Sequence, residues 1–266
     1  MNKAKIDKYI EYGTTKLKIL YKEKKMNFEG NTVKYILETS KNNNDLIVVF
    51  SGIPRQGLKA RYNYMRTLEK IDANKLFILD DLGYDQRGGF YLGKDNDYFM
   101  VRAVLHLVEK TKKNLSINRT FYVGSSKGGF ASLYFGMRDK SSTIICGGPQ
   151  YLLGDHFLKN ERYMENTVPY ILGENFKEED VKRLNNIIRD VIYSTKGNDC
   201  KIYLHYSDKE YTYRNHVKYL IEELKINNVE FEEDVAHYEK HSEISYFFPS
   251  FLVNALKYEL NNKVEA

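Results

Sequence analysis

Three side-chain types that together catalyse acyl transfer through a serine occur along this sequence in a meaningful order. Ser126 is the central residue of Gly124–Gly128, a G-x-S-x-G pattern, and Asp208 and His241 follow it along the chain. A serine hydroxyl is a weak nucleophile until a base takes its proton, and that base needs a carboxylate to fix its tautomer. The order serine, acid, histidine belongs to one large class of such enzymes. We therefore predict a triad of Ser126, Asp208 and His241.

Both partners of the serine have a neighbour of the same type. Glu210 lies two residues after Asp208, so either carboxylate can be the acid. His237 lies four residues before His241, and both follow a predicted strand. We favour His241 as the base because it directly precedes the terminal helix, where a short loop can bring it back over Ser126. His237 remains the alternative.

The segments around Ser126 fit a nucleophile that must stand on a sharp turn between a strand and a helix. A β-branched and aromatic run at 120–123 precedes it, and an apolar helical run at 130–137 follows it. The Lys127 N–H would be the first donor to the oxyanion. Ile53, in the loop after the third predicted strand, would be the second, because Pro54 next to it has no N–H.

Two phosphate-binding loops are weaker interpretations of the same glycine-rich segment. A Walker A loop needs a lysine followed by Ser or Thr after its last glycine, but here Lys127 precedes Gly128 and Gly129. The dinucleotide pattern G-x-G-x-x-G is also absent from this segment. We therefore expect no nucleotide cofactor, and no cluster has the spacing of a metal site.

Two arginines near the predicted site could bind an anionic part of a substrate. Arg55 follows the third predicted strand, and Arg87 lies in the glycine-rich loop at 83–93. Loops at the carboxyl ends of parallel strands meet above the sheet, where ligands bind in such folds. Pairing with neighbouring aspartates is the alternative role for either arginine.

Composition narrows the function classes further. The 266 residues carry 41 basic and 36 acidic side chains in alternation, a net charge of +5, so no basic stripe indicates a nucleic-acid partner. No stretch has the roughly 18 apolar residues that an integral membrane segment needs. The first 15 residues lack the apolar core of a signal peptide, so we expect a cytoplasmic protein. Cys146 and Cys200 are expected to be buried free thiols.

Short β-branched runs alternate with helical stretches, which predicts an α/β fold with a mainly parallel eight-stranded sheet. We expect one domain over residues 1–266, with a helical cap inserted at about 151–196. A helix is expected at 62–70. The predicted strands lie at 16–22, 32–39, 46–50, 76–79, 120–123, 143–146, 201–206 and 229–235.

Several short motifs resemble those of the α/β-hydrolase superfamily, in particular the XcbB/CpsF-type capsular polysaccharide biosynthesis proteins. They are also similar to the hydrolase-like domain of accessory secretion-system proteins that O-acetylate glycans on adhesins. The motifs are Phe50-Ser51-Gly52, 61–64 (RYNY), Asp80-Asp81 with 87–93 (RGGFYLG), 124–129 (GSSKGG), and Gly148-Pro149-Gln150 with Leu153-Gly154-Asp155. The resemblance implies an α/β-hydrolase fold and acyl-ester chemistry on a surface glycan, with Ser126, Asp208 and His241 at the triad positions.

The leading hypothesis is therefore a serine esterase or O-acyltransferase that acts on a carbohydrate or its precursor. Other capsule or glycan-export proteins are the partners that the resemblance implies. A catalytically inactive hydrolase fold that binds glycan or assembles an export complex is one alternative. A serine peptidase is another, since the same triad can cleave amides.

Overall fold

The computed structural model describes residue 14 and residues 17–262. Its central feature is one sheet of eight strands in the order β1-β2-β4-β3-β5-β6-β7-β8. The strands β3 to β8 run parallel to one another, while β1 and β2 form an antiparallel hairpin that joins β4 at one edge. The strands are β1 Glu23–Phe28, β2 Asn31–Glu38, β3 Leu46–Phe50, β4 Asn74–Leu79, β5 Thr120–Ser125, β6 Thr143–Gly147, β7 Lys201–Ser207 and β8 Glu230–Ala236. The mainly parallel eight-stranded sheet is as predicted.

The strand predicted at 16–22 is wrong. Residues 17–22 are helical (α1), and the first strand is β1, directly after them. Leu17, Leu20 and Tyr21 have the i, i+3, i+4 spacing of a helix, and so short an apolar run cannot be assigned from its pattern alone. The hairpin turn itself falls where the sequence indicated, at Glu29-Gly30.

The helix predicted at 62–70 is also absent, and turns replace it. Tyr64 has a φ of 60°, in the left-handed region, which a right-handed helix cannot include. The remaining helices are α2 Phe99–Leu115, α3 Lys127–Gly136, α4 Leu153–Leu158, α5 Val168–Leu172, α6 Glu178–Arg183, α7 Ile187–Ser194, α8 Lys218–Ile226 and α9 Ile244–Asn261.

The central strands β3 to β7 are buried on both faces of the sheet, as the continuous apolar run of β3 requires. Val48 and the residues that share its face pack into a core beneath α2 and α3. Val49 points to the other face, where Phe248 and Leu252 of α9 cover the sheet. Successive residues of a strand alternate between these two cores.

The segment between β6 and β7 is helical and contains α4 to α7, with a π-helical turn at Tyr163–Thr167. This segment contacts the glycine-rich loop at 83–93. The Tyr170 ring lies against Gly89 and makes an edge-to-face contact with the Tyr84 ring. That loop follows the carboxyl end of β4, so these helices lie beside the same edge of the sheet as the loops after β3, β5, β7 and β8.

Candidate active site

Ser126 occupies a strained turn between β5 and α3. Its φ of 56° and ψ of −122° lie outside the regions that non-glycine residues favour. Its N–H donates to Gly147 O at 2.8 Å, and its carbonyl accepts from Phe130 N–H at 2.9 Å, so the backbone is fixed on both sides. Such strain persists only where the surroundings impose it, and it is typical of active sites. The hydroxyl of Ser126 is thereby held at the end of β5, partly exposed.

The glycines of the pattern allow the turn to be this tight. A Cβ on Gly124 would lie 2.5 Å from the Gly128 carbonyl carbon and oxygen. A Cβ on Gly128 would lie 2.8 Å from Phe50 O, at the end of β3. Side chains at either position would force the helix away from the sheet, so both glycines are needed for close packing.

His241 and Glu210 complete a hydrogen-bonded chain with this serine. His241 Nε2 lies 2.9 Å from Ser126 Oγ, and His241 Nδ1 lies 2.8 Å from Glu210 Oε2. Glu210 is completely buried, and the side chain of His241 is 18% exposed. The histidine lies in a single 3₁₀ turn, His241–Glu243, directly before α9, as the sequence indicated. This geometry lets Nε2 accept the serine proton while Nδ1–H donates to the carboxylate.

Thr212 and Gly148 hold the histidine and the carboxylate in place. The Thr212 hydroxyl donates to Glu210 Oε2 at 3.2 Å and lies 2.9 Å from His241 Nδ1. A Cβ on Gly148 would lie 3.2 Å from His241 Cε1 and 3.4 Å from Glu210 Oε1. The φ of Gly148 is +46°, so both its conformation and its surroundings favour glycine.

Asp208, the acid predicted from the sequence, lies elsewhere. Its carboxylate pairs with His237 Nδ1 at 2.9 Å, with side chains 42% and 65% exposed. Asp208 N–H donates to the carbonyl of Ala236, the last residue of β8, which extends the pairing by one residue beyond the end of β7. Asp208 and His237 are therefore neighbours across this extension. The chain turns inward only afterwards, which brings Glu210 to the buried position.

Of the two predicted oxyanion donors, Lys127 directly follows Ser126, and Ile53 lies in the loop after β3. Lys127 is the first residue of α3, and the first N–H groups of a helix have no partner within it. Ile53 follows Gly52, whose N–H donates to Asn63 Oδ1 at 3.1 Å. A Cβ on Gly52 would be 3.5 Å from Ser125 O, so this loop passes close beside the nucleophile turn.

The side chain of Lys127 forms a buried ion pair that the sequence did not predict. Its Nζ lies 2.9 Å from Asp80 Oδ2, and neither side chain is exposed. The Asp80 carboxylate also accepts from the N–H groups of Gly89 and Tyr91 at 3.0 and 3.1 Å. Burial lowers the pKa of Lys127, and the charge of Asp80 opposes that shift. The pair joins the residue after the nucleophile to the glycine-rich loop.

The two arginines differ in what they contact. Arg87 Nη2 donates to Pro54 O at 2.7 Å, and Arg87 Nη1 lies 3.7 Å from Asp85 Oδ2, so this guanidinium joins two loops. Arg55 is exposed, and its side chain has no partner among the residues that the structure describes. Arg87 therefore has the structural pairing that the alternative describes, while the Arg55 guanidinium contacts none of the described side chains.

Two further side chains, to which the sequence assigned no role, lie beside Ser126 or His241. Gln150 Nε2 donates to Ser126 Oγ at 3.1 Å. The Tyr211 ring lies 5.5 Å from the His241 ring. Gln150 appeared in the sequence only as part of a short motif, and its spacing carried no signal of a contact with Ser126.

Two histidines of neighbouring helical segments are held neutral. Burial lowers the pKa of His156 to about 3 and that of His216 to about 4. Their rings lie 5.6 Å apart, and His216 Nδ1 accepts from Leu152 N–H. The charge of Lys159 adds to both shifts.

Residues 14 and 17–262, which the structure describes, contain neither a membrane-spanning helix nor a metal-binding cluster. No helix there is long and apolar enough to cross a membrane. No group of three or more His, Cys, Asp or Glu side chains there is arranged to hold a metal ion.

Known structures share this fold at low sequence identity. The capsule O-acetyltransferase of Neisseria meningitidis serogroup A is similar over 90% of this chain and 99% of its own, with 18% identity and a TM-score of 0.71. The Gap123 glycosylation-associated complex of Streptococcus agalactiae is similar over 91% of this chain and 47% of its own, with 16% identity and a TM-score of 0.72. The fluorophosphonate-binding serine hydrolase FphF of Staphylococcus aureus is similar over 88% of this chain and 97% of its own, with 11% identity and a TM-score of 0.62.

No family model matches the sequence, and no curated protein sequence matches it. The structural similarity therefore establishes the fold: the chain has the α/β-hydrolase fold, as its short motifs indicated.

Proposed function

We propose that this protein is a serine acyltransferase or esterase that forms an acyl-enzyme on Ser126, with His241 as the base and Glu210 as the acid. The observation that carries the proposal is the continuous contact from Ser126 Oγ through both nitrogens of His241 to Glu210. Glu210, the alternative from the sequence, replaces Asp208 because only Glu210 contacts the histidine that contacts the serine.

The geometry supports a two-step reaction. His241 Nε2 takes the proton of Ser126 as Oγ attacks the carbonyl carbon of the donor, and it then gives that proton to the leaving group. In the second step a hydroxyl of the acceptor gives its proton to His241 as its oxygen attacks the acyl carbon. The bond from that carbon to Ser126 Oγ breaks, and His241 returns the proton to Oγ. Throughout, Glu210 stabilises the charged imidazole, and the N–H groups of Lys127 and Ile53 are the proposed donors to the oxyanion.

We infer that the acyl group is acetyl and that the acceptor is a glycan or a glycan precursor. Two structural neighbours support this: one is named a capsule O-acetyltransferase, and another belongs to a glycosylation-associated complex. One structure of the O-acetyltransferase is a complex with CoA, so we propose acetyl-CoA as a donor. Arg55, whose side chain is exposed, is the proposed contact for the anionic part of acetyl-CoA.

One of these neighbours supports protein partners, and the two cysteines support a location. We propose that the protein works beside other proteins of capsule or adhesin glycosylation and export, in line with the Gap123 neighbour. We place it in the cytoplasm because Cys146 and Cys200 are both free and buried, as expected where thiols stay reduced.

A fluorophosphonate probe tests the nucleophile. We expect the wild-type protein to be labelled and Ser126→Ala to remain unlabelled, while Ser242→Ala, which alters an exposed serine next to His241, is labelled like wild type. Release of acetate from acetyl-CoA and from p-nitrophenyl acetate then identifies ester chemistry, whereas cleavage of aminoacyl amides alone would indicate a peptidase. A folded wild-type protein that the probe does not label would favour the inactive binding module.

A further inference from the structure

Gln150 makes a contact that the proposed triad does not require. Gln150 lies in the loop after β6, next to Pro149. Its side chain is buried, with 1% of the residue exposed. Its Nε2 donates to Ser126 Oγ at 3.1 Å. Its Oε1 is buried and has no hydrogen-bond partner among the residues described. A buried amide oxygen without a partner is rare in folded proteins, because leaving it unpaired is unfavourable.

The number of protons on the Ser126 hydroxyl decides which end of the Gln150 amide group faces it. His241 Nδ1–H donates to Glu210, so Nε2 carries no proton and accepts the single hydrogen of the Ser126 hydroxyl. The serine oxygen can then only accept from Gln150, which requires the NH₂ group to face it. The carbonyl Oε1 is thereby the group without a partner.

His241 and Gln150 converge on one oxygen atom, at 2.9 and 3.1 Å. Once Ser126 is acylated, its Oγ becomes an ester oxygen, which is a poor hydrogen-bond acceptor. An attacking hydroxyl must then approach His241 Nε2, and it enters the space where the Gln150 NH₂ group has lost its partner. Oε1 is free to accept from a second donor on the same molecule.

We propose, on the basis of the acyl-enzyme function above, that Gln150 selects an acceptor with two neighbouring hydroxyls over water. Its Nε2–H donates to the attacking oxygen, and its Oε1 accepts from the adjacent hydroxyl. The attacking O–H passes its proton to His241, its oxygen bonds to the acyl carbon, and the bond from that carbon to Ser126 Oγ breaks. His241 returns the proton to Oγ. The acceptor class is a vicinal diol, as in a sugar ring.

The test measures how the acetyl-enzyme divides between transfer and hydrolysis. With p-nitrophenyl acetate as donor, wild-type protein should acetylate cis-1,2-cyclohexanediol in preference to cyclohexanol and to water. Gln150→Met removes both amide groups at similar length. It should lower the ratio of diol acetate to free acetate about 10-fold, as expected for a lost hydrogen bond. This ratio describes how the acetyl-enzyme is consumed, so it does not depend on how fast each variant forms the acetyl-enzyme.

Gln150→Glu keeps the acceptor oxygen but lacks the NH₂ donor, so it should also lose the preference for the diol. Gln56→Met, which changes an exposed glutamine on the loop after β3, is the matched control and should keep the wild-type ratio. Labelling by the fluorophosphonate probe shows that each variant is folded. An unchanged ratio of diol acetate to free acetate in either labelled Gln150 variant would overturn the role of Gln150 alone. The lack of any burst in wild type would overturn the acyl-enzyme and this role with it.

Discussion

Asp208 and Glu210 lie two residues apart after β7, yet their carboxylates contact different histidines. Asp208 pairs with His237 at the exposed rim of the sheet, and Glu210 pairs with His241 beside Ser126. The two candidate acids and the two candidate bases of the sequence thus form two separate pairs, each of one acid and one histidine. Only the buried pair is connected to the serine.

The first prediction separates these two pairs. Glu210→Gln keeps the shape of the side chain but cannot stabilise a charged imidazole, so the rate of acyl-enzyme formation should fall by a factor on the order of 10⁴. Asp208→Asn, the matched change at the rim, should alter the rate less than 2-fold, since this carboxylate contacts His237 and neither His241 nor Ser126. Burst kinetics with p-nitrophenyl acetate measure both. The reverse result would restore Asp208 as the acid.

The second prediction concerns the space beside the histidine. Gly148→Ala should slow labelling of Ser126 at least 10-fold, because the new Cβ would lie 3.0 Å from Ile244 Cδ1 and 3.2 Å from His241 Cε1, which should displace the ring. Gly57→Ala is the control, since Gly57 also has a positive φ, +79°, but nothing lies within 4 Å of an added Cβ.

Both alanines should cost about 1–2 kcal/mol of stability from backbone strain. Only Gly148→Ala should affect the labelling rate. Equal labelling rates in the two variants would show that Gly148 does not position His241.

The third prediction tests the buried ion pair of Lys127 and Asp80. Lys127→Met leaves the Asp80 charge buried without its cation and should lower the free energy of unfolding by about 3–5 kcal/mol. Adding Asp80→Asn should recover part of that loss, because no unpaired charge then remains buried. Urea unfolding of the single and double variants gives the coupling energy. Strictly additive effects would contradict direct pairing.

The fourth prediction is a loss of stability in acid. An unfolded histidine has a pKa near 6.5, whereas the folded pKa of His156 is about 3 and that of His216 is about 4. Between pH 6.5 and 4 the unfolded state therefore binds more protons, so stability that is present above pH 6.5 is lost as the pH falls.

His156→Gln should reduce the slope of unfolding free energy against pH between 4.5 and 6 by up to about 1.4 kcal/mol per pH unit. Urea unfolding over this range, with values at pH 8 as the baseline, measures the slope. An unchanged slope would show that His156 titrates alike in the folded and unfolded states.

The fifth prediction concerns the proposed donor. Arg55→Ala should raise the KM for acetyl-CoA about 2- to 5-fold, the effect of losing one exposed charge contact, and leave the KM for neutral p-nitrophenyl acetate unchanged. Lys113→Ala removes an exposed charge near the C-terminal end of α2 and is the control. Equal effects on both substrates would argue against a contact with the anionic donor.

The sequence by itself determined the parts of this protein that depend on local pattern. The alternation of apolar runs and helices defined the parallel strands β3 to β8, each near its predicted position. The flanking strand and helix identified the turn at Ser126, because a G-x-S-x-G segment in that context has few other conformations. The position of His241 directly before the terminal helix was also predicted from the sequence.

Tertiary structure decided the features that depend on where a side chain points after its strand ends. The choice between Asp208 and Glu210 depends on one further residue of pairing between β7 and β8, which no local pattern records. Asp80, the partner of Lys127, lies directly after β4, and Ser126, the partner of Gln150, lies directly after β5. The members of each pair are far apart in sequence but adjacent at one edge of the sheet. Residue types can show which groups could react, but only the packing of the loops brings them within hydrogen-bonding distance.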